Sequence, residues 1–334
     1  MKVAVIGVGY WGPNLVRNFL NNKEVSEIYC FDIDAKRLNN IYQQFPVVKL
    51  VDSYEDILKN PKINGVCIAT PASTHYPLAK MAIEHNKHIL VEKPFTVNIQ
   101  QAKALLELCE QKKLKLVVDH IFMYNGAVRK IKEIIDSKEI GKILYFDAVR
   151  VNLGLFQHDV NVLWDLATHD ISIMLYLINK KPKAVSAIGV SHYNTTEDIA
   201  YLTVFFDDNC IAHFHVNWLA PVKIRRILIG GSQKMILYDD METIEKIKVY
   251  DKGVDIKTKE GIYKTLIQYR TGDMYAPKFD TTEPLACLIK DFIEAIKNGT
   301  EPLSSGTIGL EVVKILTAAQ KSLKNDGCVV ELNG

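Results

Sequence analysis

The 334-residue chain lacks an excess of charge of either sign, and it lacks any long run of apolar residues. Its 41 lysines and arginines against 39 acidic residues give a net charge of +2, with the two signs interspersed. Binding to nucleic acid by bulk electrostatics usually needs a basic patch or stripe, which this balance does not provide. No run approaches the ~20 apolar residues that cross a bilayer. We therefore expect neither a nucleic-acid partner nor a membrane span.

The signatures of several enzyme classes are also missing. The sequence has no Gly-x-Ser-x-Gly nucleophile turn and no phosphate-loop lysine, which argues against a hydrolase or a kinase. Its six cysteines are widely spaced and form no Cys-x-x-Cys pair, so we expect reduced thiols in the cytoplasm. His213 and His215 lie two apart on a predicted strand, but no third ligand has suitable spacing. We therefore expect no metal.

The sequence divides into two regions that differ in their secondary-structure patterns. Up to about residue 120, short apolar runs alternate with helical patterns, which predicts an α/β domain with a doubly wound parallel sheet. Beyond it, helical patterns mix with longer alternating strands, which predicts an α+β domain with a large, open, mostly antiparallel sheet. We therefore place two domains at residues 1–121 and 122–334.

A glycine loop follows the first predicted strand. Gly7, Gly9 and Gly12 form a Gly-x-Gly-x-x-Gly motif that includes Tyr10 and Trp11 and opens a helix. Such glycines permit a tight turn, close approach of the backbone to a diphosphate, and close packing of helix on strand. The helix N-terminus adds backbone N–H groups and a positive dipole end. The loop predicts a Rossmann domain for a dinucleotide.

Asp32 indicates which dinucleotide it is. It lies 20 residues beyond Gly12, at the end of the second predicted strand, where an acid hydrogen-bonds the adenosine ribose. A carboxylate there repels a 2′-phosphate, so we expect NAD rather than NADP. Lys36 and Arg37 follow closely and could soften that preference.

Two further loops follow predicted strands. One contains Thr70, Pro71 and His75, and the other begins with Glu92 and Lys93. Both come at carboxyl ends of parallel strands, where ligands bind in open α/β sheets. A lysine facing the nicotinamide supplies positive charge and a hydrogen-bond donor to a substrate hydroxyl. Taken alone, however, a loop lysine of this kind is more often a solvated surface residue.

In combination these motifs resemble a known family. They are the Gly7–Gly12 loop, Thr70-Pro71 with His75, and the tripeptide Glu92-Lys93-Pro94, in this order. They resemble the glucose–fructose oxidoreductase / inositol dehydrogenase (Gfo/Idh/MocA) family of NAD(P)-dependent dehydrogenases of sugars and cyclitols. The resemblance implies that Lys93 is catalytic, near the nicotinamide and the reacting carbon, and that the other motif residues contact the cofactor. The terminal region around Glu283-Pro284-Leu285 resembles the family's nucleotide-sugar branch.

Asp165 and His169 lie four apart at the start of a helical pattern, so both side chains share one helix face. The pKa of histidine suits it to take a hydroxyl proton as hydride leaves. From the residues alone, a helix-start aspartate and a core histidine are equally good interpretations. The resemblance matches the pair to the family's second-domain catalytic motif, which implies that both are catalytic and contact the substrate.

Four further residues are predicted to contact the substrate, beside Lys93, Asp165 and His169. They are His120, Asn125, Arg150 and Asn152. The last two lie two apart on a predicted strand and so share one face. Around His120 the chain departs from the family pattern at Asp119, Met123 and Gly126.

The resulting hypothesis is NAD-dependent oxidation of a secondary sugar hydroxyl, by resemblance at C3 of a UDP- or dTDP-linked sugar. His169 would act as the base and Lys93 would polarise the substrate oxygen. An inositol or free-monosaccharide dehydrogenase is an alternative, and a catalytically silent NAD-binding sensor or scaffold is another. Because the second-domain sheet has apolar residues on both faces, we also expect a homodimer or homotetramer through that sheet.

Overall fold

The structure is a computed structural model that describes residues 1–154, 160–193, 195–251, 253–255, 268–270 and 272–332. The chain forms two compact units, Met1–Tyr124 with Thr282–Thr317 and Asn125–Thr281 with Ala318–Gly334. The first unit contains the glycine loop and Lys93, and the second contains Asp165 and His169.

A parallel sheet forms the centre of the first unit. Its strands are β1 (Lys2–Ile6), β2 (Glu27–Phe31), β3 (Lys49–Leu50), β4 (Gly65–Ile68), β5 (His88–Val91) and β6 (Leu116–Val118). Their spatial order is β3-β2-β1-β4-β5-β6, and every pair is parallel. Val3, Ala4 and Val5 are fully buried, as strands covered on both faces should be. The predicted doubly wound sheet is confirmed.

Five helices connect these strands. They are α1 (Gly12–Leu20), α2 (Ala35–Gln44), α3 (Tyr54–Lys59), α4 (Ala72–Glu84) and α5 (Ile99–Lys112). Asp34, Ser53 and Asn98 cap the N-termini of α2, α3 and α5, each accepting a backbone N–H bond inside the first turn. The N-terminus of α1 has no side-chain cap. No side-chain acceptor therefore offsets the positive dipole end of α1, which favours an anion there.

A larger sheet forms the second unit. Its strands begin with β7 (Ile143–Leu153), β8 (Ala184–Val190), β9 (Ile199–Phe205), β10 (Ile211–Asn217), β11 (Leu219–Gly231), β12 (Met235–Asp239) and β13 (Ile247–Tyr250). The short strands β14 (Gly253–Asp255), β15 (Gln268–Arg270), β16 (Met274–Tyr275) and β17 (Val330–Glu331) follow. The spatial order is β16-β13-β12-β11-β7-β10-β9-β8-β17, with β14 and β15 as a separate pair. The pair β7–β10 is parallel and the other described pairs are antiparallel, which confirms the predicted mostly antiparallel sheet.

The two faces of this sheet differ in burial. Along β9, Leu202 and Val204 are fully buried, whereas Tyr201 on the other face is 39% exposed. The helices of the unit are α6 (Gly126–Asp136) and α7 (Thr168–Ile178), and α7 contacts both α6 and β7. A π-helical turn, Leu163–Ala167, leads directly into α7. Among the described residues, no helix is long and apolar enough to cross a bilayer.

The last two helices are α8 (Pro284–Asn298) and α9 (Gly306–Leu323). The sequence prediction assigned everything after residue 121 to the second domain, but the structure groups Thr282–Thr317 with the first unit. The Tyr124 hydroxyl donates to Asp291 Oδ2 in α8 at 2.7 Å, and Arg17 in α1 makes two hydrogen bonds with Glu283, at 2.9 and 2.6 Å. A long-range return of this kind leaves no trace in local periodicity, so the predicted boundary misses it.

Candidate functional site

The glycine loop lies between β1 and α1 and is shaped by backbone contacts. Gly7 has a φ of +87°, and a Cβ at this position would lie 2.5 Å from the Ala69 carbonyl oxygen, so only glycine fits. A Cβ on Gly12 would lie 2.7 Å from the Gly7 oxygen. Tyr10 is 92% exposed at the loop tip. The loop thus leaves an open backbone cradle above an uncapped helix N-terminus, as a diphosphate requires.

Asp32 anchors this loop through backbone hydrogen bonds. Its carboxylate accepts the backbone N–H of Val8 and that of Asp34, each at 2.9 Å. The side chain is 7% exposed. Arg37 approaches the same carboxylate, with Nη1 3.8 Å from Oδ2. Asp32 is thus fixed beside the glycine loop. The cation next to it, Arg37, is one of the two that the sequence analysis expected to weaken a preference for NAD over NADP.

His75 ties the two other predicted loops together. Its Nδ1 lies 2.9 Å from the Pro94 carbonyl oxygen and its Nε2 lies 2.8 Å from that of Thr70, and the ring is 1% exposed. Pro71 is the residue before α4, whose first turn includes the histidine. The Lys93–Pro94 peptide bond is cis. His75 therefore holds the end of β4 and the turn after β5 in a fixed relation.

Lys93 begins that turn and is half-buried. Its backbone N–H donates to Glu92 Oε2 at 3.2 Å. Trp11 of the glycine loop donates its indole N–H to Asp119 Oδ2 at 3.1 Å. Asp119 follows β6, the strand next to β5, so the acids at the ends of the two strands are neighbours. Sequence reasoning noted Asp119 as a departure from the family pattern and gave it no role.

Burial strongly affects the acid–base behaviour of this cluster. It raises the pKa of Glu92 well above the usual range, and the charge of Asp119 raises it further. Burial also raises the pKa of Asp119. It lowers the pKa of His120 to about 3, with the charge of Lys93 contributing, so this imidazole is neutral at physiological pH. His120 is completely buried, and its contact with the substrate stays a prediction.

In the second unit, Asp165 and His169 occupy the junction between the π-helical turn and α7. Single π-helical turns are rare and frequently occur at functional sites. Both side chains are half-buried. Trp218, which directly follows β10 and is fully buried, donates its indole N–H to Asp165 Oδ2 at 3.1 Å. The sequence prediction missed Trp218, since a tryptophan ending an apolar strand gives no sign of its partner.

Arg150, predicted to contact the substrate, forms a buried ion pair in the structure. It is 2% exposed and forms a bidentate pair with Asp170, with Nε–Oδ2 at 2.9 Å and Nη2–Oδ1 at 2.7 Å. Asp170 lies on α7 next to His169, so this buried pair fastens β7 to the helix that carries the predicted base. The substrate contact of Arg150 stays a prediction.

The structure also places the two remaining predicted substrate contacts, Asn125 and Asn152. Asn125 caps α6, since its side chain accepts the Ala127 N–H at 2.9 Å, and its contact with the substrate stays a prediction. Asn152 is half-buried on β7 and stays a candidate. The rings of His213 and His215 both stack on that of Tyr201, and their centroids lie 6.1 and 4.6 Å from the Tyr201 centroid, respectively. The described residues contain no group of three or more potential metal ligands.

Comparison with known proteins places these features in a family. Residues 1–120 match the model of the GFO_IDH_MocA oxidoreductase family with an NAD-binding Rossmann fold, and residues 128–237 match that of the GFO/IDH/MocA C-terminal domain. The curated UDP-N-acetylglucosamine 3-dehydrogenase of Acidithiobacillus ferrooxidans is 25% identical over 316 residues, 94% of either chain. The scyllo-inositol 2-dehydrogenase (NAD(+)) of Bacillus subtilis is 25% identical over 353 residues, covering 100% of this chain and 96% of that protein.

Solved structures agree on the fold. Levoglucosan dehydrogenase, in complex with NADH and L-sorbose, superposes with a TM-score of 0.84 at 20% identity, covering 100% of this chain and 99% of that one. A structure of the Acidithiobacillus enzyme gives 0.80 at 23% identity, covering 97% of this chain and 99% of that one. The resemblance found in the sequence is thus confirmed, and with both family models matched over most of its length the chain belongs to the GFO/IDH/MocA family of oxidoreductases.

Proposed function

We propose that this protein is an NAD-dependent dehydrogenase that oxidises a secondary hydroxyl of a sugar. One observation carries the proposal: half-buried Lys93 lies in the turn after β5, and His75 bonds that turn to the loop after β4. This is the edge of a parallel sheet where ligands bind. A silent NAD-binding sensor needs the glycine loop alone, whereas a lysine held at the ligand edge supplies chemistry.

The first unit fits NAD. The backbone cradle of Gly7, Gly9 and Gly12 and the uncapped start of α1 would hold the diphosphate, with Tyr10 and Trp11 beside it. Asp32 would bind the adenosine ribose, and Thr70, Pro71, His75 and Glu92 would line the nicotinamide end. When bound, the nicotinamide supplies a hydride acceptor.

The remaining chemistry falls to side chains of this chain. Lys93 donates a hydrogen bond to the substrate oxygen and stabilises the negative charge that develops there. His169 accepts the hydroxyl proton as the carbon loses its hydride and the C=O bond forms. Asp165, fixed by the Trp218 indole, orients substrate and base. Further substrate contacts in this proposal are His120, Asn125, Arg150 and Asn152.

The favoured substrate is a UDP- or dTDP-linked sugar oxidised at C3. It is supported by the Acidithiobacillus relative, which is named as a UDP-N-acetylglucosamine 3-dehydrogenase and matches 94% of the chain. The Bacillus relative, named as a scyllo-inositol dehydrogenase, matches the whole chain at the same identity and supports a cyclitol as the second candidate. A net charge of +2 offers no general basic field, so a nucleotide diphosphate would be held by local donors.

A substrate panel tests this proposal. NADH formation is followed by absorbance with UDP-sugars, dTDP-sugars, inositols and free monosaccharides, each at several concentrations with NAD in excess. We expect the largest kcat/KM with a nucleotide sugar. A clear preference for inositol would favour the cyclitol dehydrogenase. NAD binding without turnover of any member would favour the silent sensor.

Cofactor preference gives a prediction at Arg37. Asp32 repels a 2′-phosphate, so the wild-type protein should bind NAD more tightly than NADP in a fluorescence titration. The Arg37 guanidinium, 3.8 Å from Asp32, is the cation placed to receive that phosphate. Arg37→Gln should therefore weaken NADP binding about tenfold more than NAD binding, roughly 1.4 kcal/mol. Lys103→Gln, on the exposed face of α5, is the matched control. Tighter binding of NADP by the wild type would contradict the assignment.

Assembly gives a second prediction, because the outer face of the large sheet presents apolar side chains. Ile188, Tyr201 and Ile211 are 57%, 39% and 41% exposed on neighbouring strands. Covering such a face by a second copy removes that apolar surface from water. We expect light scattering at micromolar concentration to show a homodimer or homotetramer, and Tyr201→Asp to dissociate it. Ile244→Asp, at an 82% exposed site outside the strands, should leave it assembled. A monomeric wild type would refute the proposal.

We propose the cytoplasm as the setting. Among the described residues, Cys30, Cys67, Cys109 and Cys210 are buried thiols that form no disulfide. Burial raises the pKa of Cys30 and of Cys109 to about 12, which keeps both in the unreactive thiol form. Unpaired buried thiols are typical of reducing compartments.

A further inference from the structure

Two carboxyl groups beside Lys93, each with a buried oxygen, take no part in the proton and hydride transfer proposed above. Glu92 follows β5 and Asp119 follows β6, and the Asp119 backbone N–H bonds the Val91 carbonyl at 2.8 Å, which fixes the two strand ends side by side. Each carboxyl interacts with the other and with the charge of Lys93. Their closeness to Lys93 gives them a means of acting on the reaction.

In each of the two carboxyl groups, one oxygen accepts a hydrogen bond from a residue that the structure describes and the other does not. Glu92 Oε2 accepts the Lys93 backbone N–H, and Asp119 Oδ2 accepts the Trp11 indole N–H. Among the described residues, Glu92 Oε1 and Asp119 Oδ1 are buried and have no partner. When the carboxyl groups are ionised, both oxygens can only accept, so no hydrogen bond can form between them unless one carboxyl carries a proton. One proton between the carboxyl groups gives both oxygens a partner.

The surrounding charges favour the same arrangement. The titratable groups around the pair are Lys93 on the same turn, Cys67 on β4, Tyr124 and His120. Burial holds the pKa of Cys67 well above, and that of His120 well below, their usual values, so both are neutral. Among the described residues, Lys93 is the cation whose charge acts on both carboxyls. One positive charge offsets one carboxylate but not two, and two buried carboxylates in contact do not both ionise readily.

We propose that Glu92 and Asp119 share a single proton, so that the pair presents one negative charge to Lys93. Asp119 is then a positioning residue: it acts through Glu92 and Lys93, and the Trp11 indole links it to the glycine loop. The inference deepens the proposed function, on which the importance of Lys93 rests, but the shared proton can be measured without turnover.

Infrared spectroscopy detects the proton directly. A buried protonated carboxyl has a C=O band separate from those of carboxylates, and we expect this band at neutral pH in the wild type. Asp119→Asn and Glu92→Gln each leave one carboxyl next to Lys93, which then ionises, so the band should disappear in both variants. Retained circular dichroism shows that each variant folds. A wild-type spectrum without the band, or a band that survives in both variants, would overturn the proposal.

The infrared measurement needs no substrate. An inactive enzyme that still shows the band would therefore count against the proposed function alone, whereas an active enzyme without the band would count against the shared proton alone.

Discussion

Replacing Lys93 by methionine should lower turnover about 10²-fold or more while NAD binding persists. Methionine keeps a similar length and apolar stem but loses the ammonium group, so the substrate oxygen loses both its donor and the charge that stabilises it. The glycine loop and Asp32, which the proposed function assigns to cofactor binding, are untouched. The measurement is kcat with the best substrate of the panel, together with the Kd for NAD by fluorescence.

His169→Ala tests the same reaction from the second unit. Removing the base should also cost about 10²-fold or more in kcat, with NAD affinity unchanged. Lys103→Met, at an exposed site on α5, controls for the loss of a positive charge as such and should be near normal. Near-normal turnover in both the Lys93 and the His169 variants would overturn the assignment of roles. Loss of NAD binding together with turnover would make Lys93 a cofactor ligand instead.

Local sequence patterns predicted the strands and the glycine loop correctly. The run Lys2–Ile6 is a strand as predicted. Gly7, which follows it, has a positive φ that residues with a side chain rarely adopt. The large sheet was visible as alternation along β9 and β10. These features depend on neighbours within a few residues, which is why one sequence suffices to find them.

The parts that escaped prediction are pairings between distant residues. Arg150 looked like an open-face residue because of its spacing from Asn152, yet its partner Asp170 lies 20 residues away on a helix. Trp218 is 53 residues from Asp165, and Asp119 is 108 residues from Trp11. Polar groups that end up buried must find partners, but the sequence does not say where those partners are.

The second large effect is expected from the Arg150–Asp170 pair. Asp170→Ala leaves a guanidinium that is 2% exposed without its bidentate partner, and breaking a buried pair from one side typically costs about 3–5 kcal/mol. Because Asp170 lies on α7 beside His169, the loss should lower both the stability of the second unit and the turnover. Urea unfolding, followed by the fluorescence of Trp164 and Trp218 in that unit, measures the stability.

Two further variants separate the buried charge from the loss of a side chain. Arg150→Met combined with Asp170→Leu removes both charges and replaces them with apolar volume, so it should be markedly more stable than Asp170→Ala alone. Asp136→Ala breaks the Lys132–Asp136 pair on α6, whose carboxylate side chain is 59% exposed, and should cost less than about 1 kcal/mol. An Asp170 variant no less stable than the Asp136 variant would mean that Arg150 finds another partner. The fastening of β7 to the helix of the predicted base would then have to be assigned to packing instead of charge.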